Sequence, residues 1–242
     1  MSDYNILKTE ALTMRFGGVT AVDSVDFAVR DGELRCLLGP NGAGKSTFFK
    51  CVTGQLVPSS GTVTFRDQDI TGWQTHQIVA LGIGIKTQVP NLYDGLDAWE
   101  HVRLAAKRKH LPRIAREIAE KNLVRCGIID LAKREVGLLS HGQRQLVELA
   151  MVLAGEPSLL LLDEPAAGMT GEERDRLAGL VIEAAKTASV IVVEHDMAFI
   201  RQIARSVTVF HRGAIFAEAP VAEIMADKRV QEIYLGKQAD AA

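Results

Sequence analysis

One glycine-rich stretch constrains the fold of this chain more than any other. Residues 39–47 read GPNGAGKST, which matches the pattern G-x-x-x-x-G-K-[S/T]. The stretch follows ELRCLLG, an apolar run typical of a buried strand, and precedes STFFKCVTG, a short helical pattern that ends at Gly54. A strand, a glycine turn and a helix in this order form a cradle in which backbone N–H groups face phosphate oxygens. The sequence therefore predicts an α/β fold built around a phosphate cradle.

The side chains of the cradle have separate expected roles. Lys45 should reach the β- and γ-phosphates of a bound nucleotide, and the Ser46 hydroxyl should bind Mg²⁺. The residues expected to contact the nucleotide are Gly39, Pro40, Asn41, Gly42, Ala43, Gly44, Lys45, Ser46 and Thr47. A glycine turn with a solvated lysine is the structural alternative, which the spacing and the strand–helix context both disfavour.

A pair of carboxylates follows a second apolar run. In SLLLLDEP, Asp163 and Glu164 stand at the end of a segment typical of a buried parallel strand. Ligands of open α/β sheets bind outside the carboxyl ends of the strands. We expect Asp163 to join the Mg²⁺ site, and Glu164 to act as the general base that activates a water molecule.

Two further strand-like runs end in polar residues. His195 follows SVIVVE, and we expect it to contact the γ-phosphate and help to position the attacking water. Gln88 closes a β-like stretch at IKTQVPN and offers an amide to the metal or the water. Each is a weak signal alone, because a histidine at a strand end is more often structural; the cradle and the carboxylates give both their functional interpretation.

The segment LLSHGQRQLVELA, residues 138–150, predicts a helix with an unusual tip. Its apolar stripe at helical spacing indicates burial of one face. Ser140 and Gln143 have the spacing of a capping box, which places the helix start there. Gly142 then occupies the second helical position, where glycine costs about 1 kcal/mol relative to alanine. A small, electropositive tip of this kind is suited to an anionic ligand.

The remaining patterns divide the chain into β-rich and helical parts. Residues 5–38 and 60–70 read as strands and turns, and strand-like runs return after residue 155. Between them helical patterns dominate, and Ile114, Ile118 and Leu123 mark the apolar face of one amphipathic helix. We expect residues 1–88 and 155–242 to form the core, and residues 89–154 to form an inserted helical subdomain.

Composition limits the classes of protein to which the chain can belong. A hydrophobic fraction of 47% in 242 residues supports one sizeable core, and a net charge of −2 disfavours a nucleic-acid partner. The three cysteines lack metal or redox spacing, which is typical of a reduced, cytosolic chain. We find no signal peptide and no apolar run of the ~20 residues that span a bilayer, so a membrane role requires a partner.

Taken in order, these motifs resemble those of the nucleotide-binding subunits of ABC transporters. The resemblance spans about residues 6 to 236 and rests on the cradle, Gln88, LSHGQ at residues 139–143, LLLLDEP and His195. It implies a RecA-like P-loop NTPase core with an N-terminal antiparallel β subdomain and the helical insertion. It also implies ATP and Mg²⁺ as ligands, and ATP hydrolysis as the activity.

The resemblance gives the tip of the LSHGQ helix a ligand on another subunit. In the family, an LSGGQ-type stretch binds the γ-phosphate of ATP held by the partner subunit, in a head-to-tail dimer. The residues that would contact ATP in this way are Ser140, His141, Gly142 and Gln143. The ATPase partner is either an identical or a different chain.

At three positions the sequence departs from commoner family residues. Phe16 stands where a tyrosine often stacks on adenine, and any aromatic ring can stack there. His141 replaces the usual first glycine of the signature, so a bulkier ring must fit. Thr170 stands where many members have an aspartate that communicates between the two ATP sites.

Within the family, the closest resemblance is to the subunits of branched-chain amino acid and urea importers, on the stretches MRFGGVTAVDSVDF, LLLLDEPAAGM and RVQEIYLG. LSHGQ together with AGMT, residues 167–170, favours the urea-type branch. The resemblance implies permease subunits, a solute-binding protein and a place on the cytoplasmic face of the membrane. Residues 89–105 correspond to the region that receives the permease. A lipopolysaccharide-export ATPase is the near alternative; a soluble ABC protein of DNA repair or translation and a metabolic P-loop kinase fit the length and motifs less well.

Overall fold

The computed structural model describes residues 4–239, with side chains described through residue 234. The strands are β1 (Asn5–Phe16), β2 (Val19–Arg30), β3 (Leu34–Leu38), β4 (Ser60–Phe65), β5 (Gln68–Asp69), β6 (Ile83–Lys86), β7 (Leu159–Asp163), β8 (Ser189–Glu194), β9 (Ser206–His211) and β10 (Ala214–Pro220). The helices are α1 (Lys45–Val52), α2 (Thr75–Ala80), α3 (Ala98–Ala106), α4 (Pro112–Arg125), α5 (His141–Ala154), α6 (Gly171–Ala184), α7 (Met197–Ile203), α8 (Val221–Ala226) and α9 (Lys228–Ala239). Two 3₁₀ turns, Ile129–Leu131 and Val136–Leu138, lie between α4 and α5.

The strands form two sheets. An antiparallel sheet has the order β2-β1-β4-β5, and a six-stranded sheet has the order β10-β9-β3-β8-β7-β6. In the second sheet β9, β3, β8, β7 and β6 are parallel, and only β10 is antiparallel. The predicted α/β fold with an antiparallel β part is confirmed.

The central parallel strands are apolar because both of their faces are covered. All residues of β3, β7 and β8 are buried. One hydrophobic cluster lies on the side of α1 and the antiparallel sheet, and a second joins the other face to α3–α7. Continuous apolar runs of this kind are typical of parallel strands between two layers.

The residues between β6 and β7 form the expected helical segment. Helices α3, α4 and α5 pack against one another, and α5 also packs against β6. The apolar face predicted for α4 is partly wrong, because Ile114 is exposed and Ile118 is only half-buried. The buried stripe is instead Ala115, Ala119 and Leu123, since small residues allow the neighbouring helices to approach closely.

Helix α5 begins as the sequence predicts. Ser140 Oγ accepts a hydrogen bond from Gln143 N at 3.2 Å, and Gln143 Oε1 accepts one from Ser140 N at 3.1 Å, which completes the capping box. Gly142 has a reason within the chain that the sequence did not reveal. A methyl group added there would lie 2.3 Å from Oε2 of Glu173, which is held by the cap of α6. The glycine therefore leaves room for this carboxylate.

The cysteines and the most apolar helices of the described residues show the following features. Cys36, Cys51 and Cys126 are all buried and unpaired. Within residues 4–239, no helix has the length and apolar character needed to cross a bilayer.

Candidate functional site

The cradle begins where β3 ends, and its last glycine is required by the local backbone. Gly44 has φ of +101° and is the N-cap of α1, without a side-chain cap. A methyl group there would lie 2.4 Å from the carbonyl oxygen of Ala21. The first N–H groups of α1 therefore have no side-chain acceptor at the cap, which makes the helix start suitable for phosphate oxygens.

Lys45 lies inside the cradle and not in solvent. Its side chain is buried, and Nζ donates to the carbonyl oxygens of Gly39 at 2.5 Å and Pro40 at 3.1 Å. The alternative of a solvated lysine is therefore wrong. The ammonium group is held against two carbonyl oxygens of the cradle.

The parallel sheet brings four separate motifs to one edge. The cradle, His195, Glu164 and Gln88 follow the ends of β3, β8, β7 and β6, which are successive neighbours in the sheet. They enclose a cavity of about 330 Å³ lined by Asn41, Gly42, Ala43, Gly44, Lys45, Ser46, Thr47, Gln88, Glu164 and His195. Residues that are more than a hundred positions apart in the chain thus share one polar cavity.

Glu164 is the centre of the hydrogen-bonding groups in this cavity. Its Oε2 accepts a bond from Gln88 Nε2 at 3.0 Å, and its Oε1 lies 3.4 Å from Nδ1 of His195. Its backbone has φ of +44°, in the left-handed region that side chains other than glycine rarely adopt. Strain of this kind is concentrated at functional sites, where the surrounding structure maintains it.

Asp163 ends β7, next to Glu164, and has one unsatisfied oxygen. The carboxylate is buried, and Oδ1 makes no hydrogen bond to any described residue. Burial, followed by the neighbouring Glu164 carboxylate, raises the pKa of Asp163 to about 6. A buried acceptor without a partner is suited to a cation.

The other predicted site residues lie outside the cavity. Phe16 ends β1 and is 45% exposed, in the hairpin whose Ala21 carbonyl contacts the cradle. The tip of α5, with Ser140, Gly142 and Gln143, does not line the cavity of its own chain. A ligand in this cavity would leave the tip of α5 exposed for a different contact.

Two of the three departures from the family pattern, His141 and Thr170, have clear local contacts. The His141 ring lies beside Gly168, where an added methyl group would be 2.8 Å from the ring Cδ2, and beside Gln145. Thr170 caps α6, because its Oγ1 accepts a bond from Glu173 N at 3.3 Å. Glycine at 168 therefore provides the space that the histidine needs.

Sequence reasoning missed the buried polar residues that support the site. Lys86, Gln145 and Glu148 form one network between β6 and α5, and all three are buried. Glu194 accepts bonds from Ala166 N at 3.1 Å and His195 N at 3.2 Å, and so ties together the segments that follow β7 and β8. The lysine at the end of an apolar strand, in GIGIKTQ, was a usable signal.

The buried Asp163 carboxylate gives a prediction about stability in the absence of nucleotide and Mg²⁺. Its pKa is about 6 in the folded chain, above the ordinary aspartate value of 3.8, so the folded state must hold a costly buried charge above pH 6. We expect Asp163→Asn to raise the free energy of unfolding at pH 8 by on the order of 3 kcal/mol. At pH 5 the gain should fall to about half, because the folded wild-type carboxyl is then largely protonated.

Urea denaturation of both proteins at the two pH values measures this effect. Asp130→Asn serves as the control, because Asp130 is exposed and the same chemical change there should give no comparable gain. A gain for Asp163→Asn that is absent at pH 8, or equal at both pH values, would contradict the assignment of a costly buried charge.

Comparisons with known proteins agree with this arrangement. A family model described as ABC transporter matches residues 22–167. The high-affinity branched-chain amino acid transport ATP-binding protein BraF of Pseudomonas aeruginosa is 32% identical, over 96% of this chain and 98% of its own. The corresponding LivG of Escherichia coli K12 is 30% identical over 96% and 98%.

A solved structure matches the fold over nearly the same length. The crystal structure of the ADP conformation of MJ1267, an ATP-binding cassette of an ABC transporter, has a TM-score of 0.85 and 28% identity, and the match covers 96% of this chain and 99% of that one. The cradle, the carboxylates at the sheet edge and these similarities agree with one another. The chain therefore belongs to the ABC transporter family, as an ATPase domain.

Proposed function

We propose that two copies of this chain bind two ATP molecules between them, and that hydrolysis of this ATP drives solute import through membrane permease subunits. The observation that carries the proposal is the single cavity shared by the cradle, Gln88, Glu164 and His195. The chain would act at the cytoplasmic face of the membrane, attached through the permease. A nucleic-acid partner forms no part of this function.

The head-to-tail arrangement is supported by the position of α5. Its tip is capped, carries a small residue at Gly142 and lies outside the cavity of its own chain. Backbone N–H groups at a helix N-terminus favour an anion. In a head-to-tail dimer, Ser140, Gly142 and Gln143 of one copy would bind the γ-phosphate held by the other. Both halves of the site are present in this chain, so two copies would form two complete sites.

The residues at the sheet edge fit a Mg²⁺ ion that is bound together with the nucleotide. The unsatisfied Oδ1 of Asp163 is a suitable acceptor, and Ser46 in the cradle supplies a hydroxyl. The described residues contain no group of three or more His, Cys, Asp or Glu side chains that could hold a metal ion, so phosphate oxygens would complete the shell. Gln88 would bind the ion or the attacking water. The ion would neutralise negative charge on the phosphates.

The chemistry assigned to the protein is positioning and proton transfer. Water attacks the γ-phosphorus, the bond to the β–γ bridging oxygen breaks, and ADP and phosphate leave. Glu164 would accept the proton of the water, oriented by Gln88 and His195 on its two carboxylate oxygens. Lys45 and the cradle N–H groups would stabilise the charge that develops on the phosphate oxygens.

A groove on the helical side fits the role of permease docking. It has a volume of about 640 Å³ and runs between β6, α3 and α5, with Tyr93 and Leu104 among its lining residues. Tyr93 is 75% exposed, which is unusual for so large a ring. Both residues lie within residues 89–105, the segment that the family resemblance assigns to the permease.

We expect Glu164→Gln to keep ATP and to accumulate as an ATP-bound dimer while its turnover falls at least about 100-fold, the usual contribution of a general base.

Lys45→Ala should lose both ATP binding and the dimer, because the cradle loses its buried ammonium group. Equilibrium ATP binding, gel filtration and phosphate release measure these effects. Lys186→Ala, exposed at the opposite end of the sheet, is the matched lysine control. Wild-type turnover in Glu164→Gln would remove this residue from the role of base.

For the solute, we propose branched-chain amino acids in preference to urea. Both compared relatives, BraF and LivG, are named for branched-chain amino acid transport and match nearly their whole length. The solute is selected by the permease and the solute-binding protein, so the proposal concerns the complex that contains this chain.

The solute is tested in vesicles that contain this chain with the membrane proteins that copurify with it. We expect leucine, added with the solute-binding protein, to stimulate ATP hydrolysis several-fold above the rate without solute. Stimulation by urea and not by leucine would contradict the assignment. The Glu164→Gln complex provides the background rate.

A further inference from the structure

The side chain of His141 is exposed at the tip of α5, and its ring also contacts groups of its own chain. Its Nε2 lies 3.1 Å from Nε2 of Gln145, one helical turn further along α5. The ring occupies the space beside Gly168, in the loop that follows Glu164. The histidine that replaces the usual glycine therefore contacts groups near the catalytic edge of the same subunit.

The orientation of the Gln145 amide is determined by Lys86. Lys86 can only donate hydrogen bonds, and it donates to Oε1 of Gln145 in a fully buried position. The amide nitrogen of Gln145 must therefore donate in two directions, to the carbonyl oxygen of Gln88 at 3.2 Å and to His141. It follows that Nε2 of His141 accepts in this contact.

From Gln145 the contacts continue to the catalytic groups. Gln145 holds the backbone of Gln88, whose side chain donates to Oε2 of Glu164 at 3.0 Å. The other oxygen of Glu164 lies 3.4 Å from His195. A continuous series of polar contacts thus joins the tip of α5 to the base of the same chain.

A second set of contacts ties α5 to the loop around Gln88. Glu148 accepts a hydrogen bond from Asn91 N at 3.1 Å and lies 3.4 Å from Nζ of Lys86. Burial of the pair raises the pKa of Glu148 and lowers that of Lys86. Buried polar contacts restrict the local geometry, and these two contacts join residues 86–91 to α5.

We propose that His141 is a positioning residue that couples the two ATP sites of the dimer. When the tip of α5 binds the ATP of the partner, the contact from His141 through Gln145 to Gln88 sets the position of Glu164 in its own chain. The inference rests on the proposed dimer, and it adds a direction to the coupling. Loss of the contact should slow the site of the chain that carries the change more than the site that its α5 touches.

Mixed dimers of two differently tagged copies test this direction. Glu164→Gln in one copy silences its site, so that only the other copy turns over ATP. His141→Leu is then placed either in the active copy or in the silenced copy. We expect turnover to be about fivefold lower in the first arrangement than in the second, the size expected for one hydrogen bond. Equal turnover in the two arrangements, or the reverse order, would overturn the proposal.

Two further variants separate the hydrogen bond from the bulk of the ring. In His141→Gln the amide oxygen can accept the bond from Gln145, so this variant should recover most of the turnover that His141→Leu loses. Gln145→Met removes both donated bonds, and the bond accepted from Lys86, without a substitution at the tip of α5. His141→Leu added to Gln145→Met should cause no further loss, since contacts in one series are not additive. If the two substitutions reduced turnover independently, so that their fold losses multiplied, the series of contacts from His141 through Gln145 would be contradicted.

Amide exchange provides a readout that does not depend on turnover. This experiment uses homodimers of Glu164→Gln. ATP should protect the backbone amides of residues 86–91 from exchange when residue 141 is histidine or glutamine. It should protect them markedly less when His141→Leu is added. Equal protection in all three proteins would overturn the proposal. Failure of the proposed function would give a different result. In that case Glu164→Gln would form no ATP-dependent dimer, whichever residue is at position 141.

Discussion

The parallel pairing of β3, β8, β7 and β6 is the constraint on which the rest of the structure depends. Parallel strands place all their carboxyl ends at one edge, so the segments that follow them are brought together whatever their separation in the chain. The cradle, His195, Glu164 and Gln88 share a cavity for this reason. The apolar side chains that cover both faces of the sheet hold this edge in place, and they take no part in the chemistry themselves.

The site contains groups that a design for stability alone would avoid. Asp163 is buried with an unsatisfied oxygen, Glu164 has a strained backbone, and Lys86 is buried beside Glu148. Each arrangement costs free energy unless a ligand or a specific partner compensates for it. In the proposed cycle ATP and Mg²⁺ would supply that compensation at the sheet edge, whereas the hydrogen bonds of Gln145 are made within the chain and fix the loop around Gln88.

The sequence predicted the parts of the site that depend on local spacing. The cradle, the cap of α5 and the polar ends of buried strands can be read from neighbouring residues, and the structure brings Gln88, Glu164 and His195 together. Contacts between distant segments could not be read in this way. The reason for Gly142 is a carboxylate on another helix, and Gln145 resembles any polar residue on an amphipathic helix. In α4 the pattern indicated Ile114, but close helix packing buried alanines instead.

The account depends on the claim that one complete ATP site needs two chains, and complementation tests this most directly. Lys45→Ala destroys the cradle but keeps the tip of α5, and Ser140→Arg blocks the tip but keeps the cradle. Both changes are made in the Glu164→Gln background, and nucleotide in the dimer fraction is measured after gel filtration. The account predicts no ATP-bound dimer from either chain alone, and a dimer with one ATP when the chains are mixed. A mixture that forms no dimer, or an ATP-bound dimer from the Ser140→Arg chain alone, would contradict it.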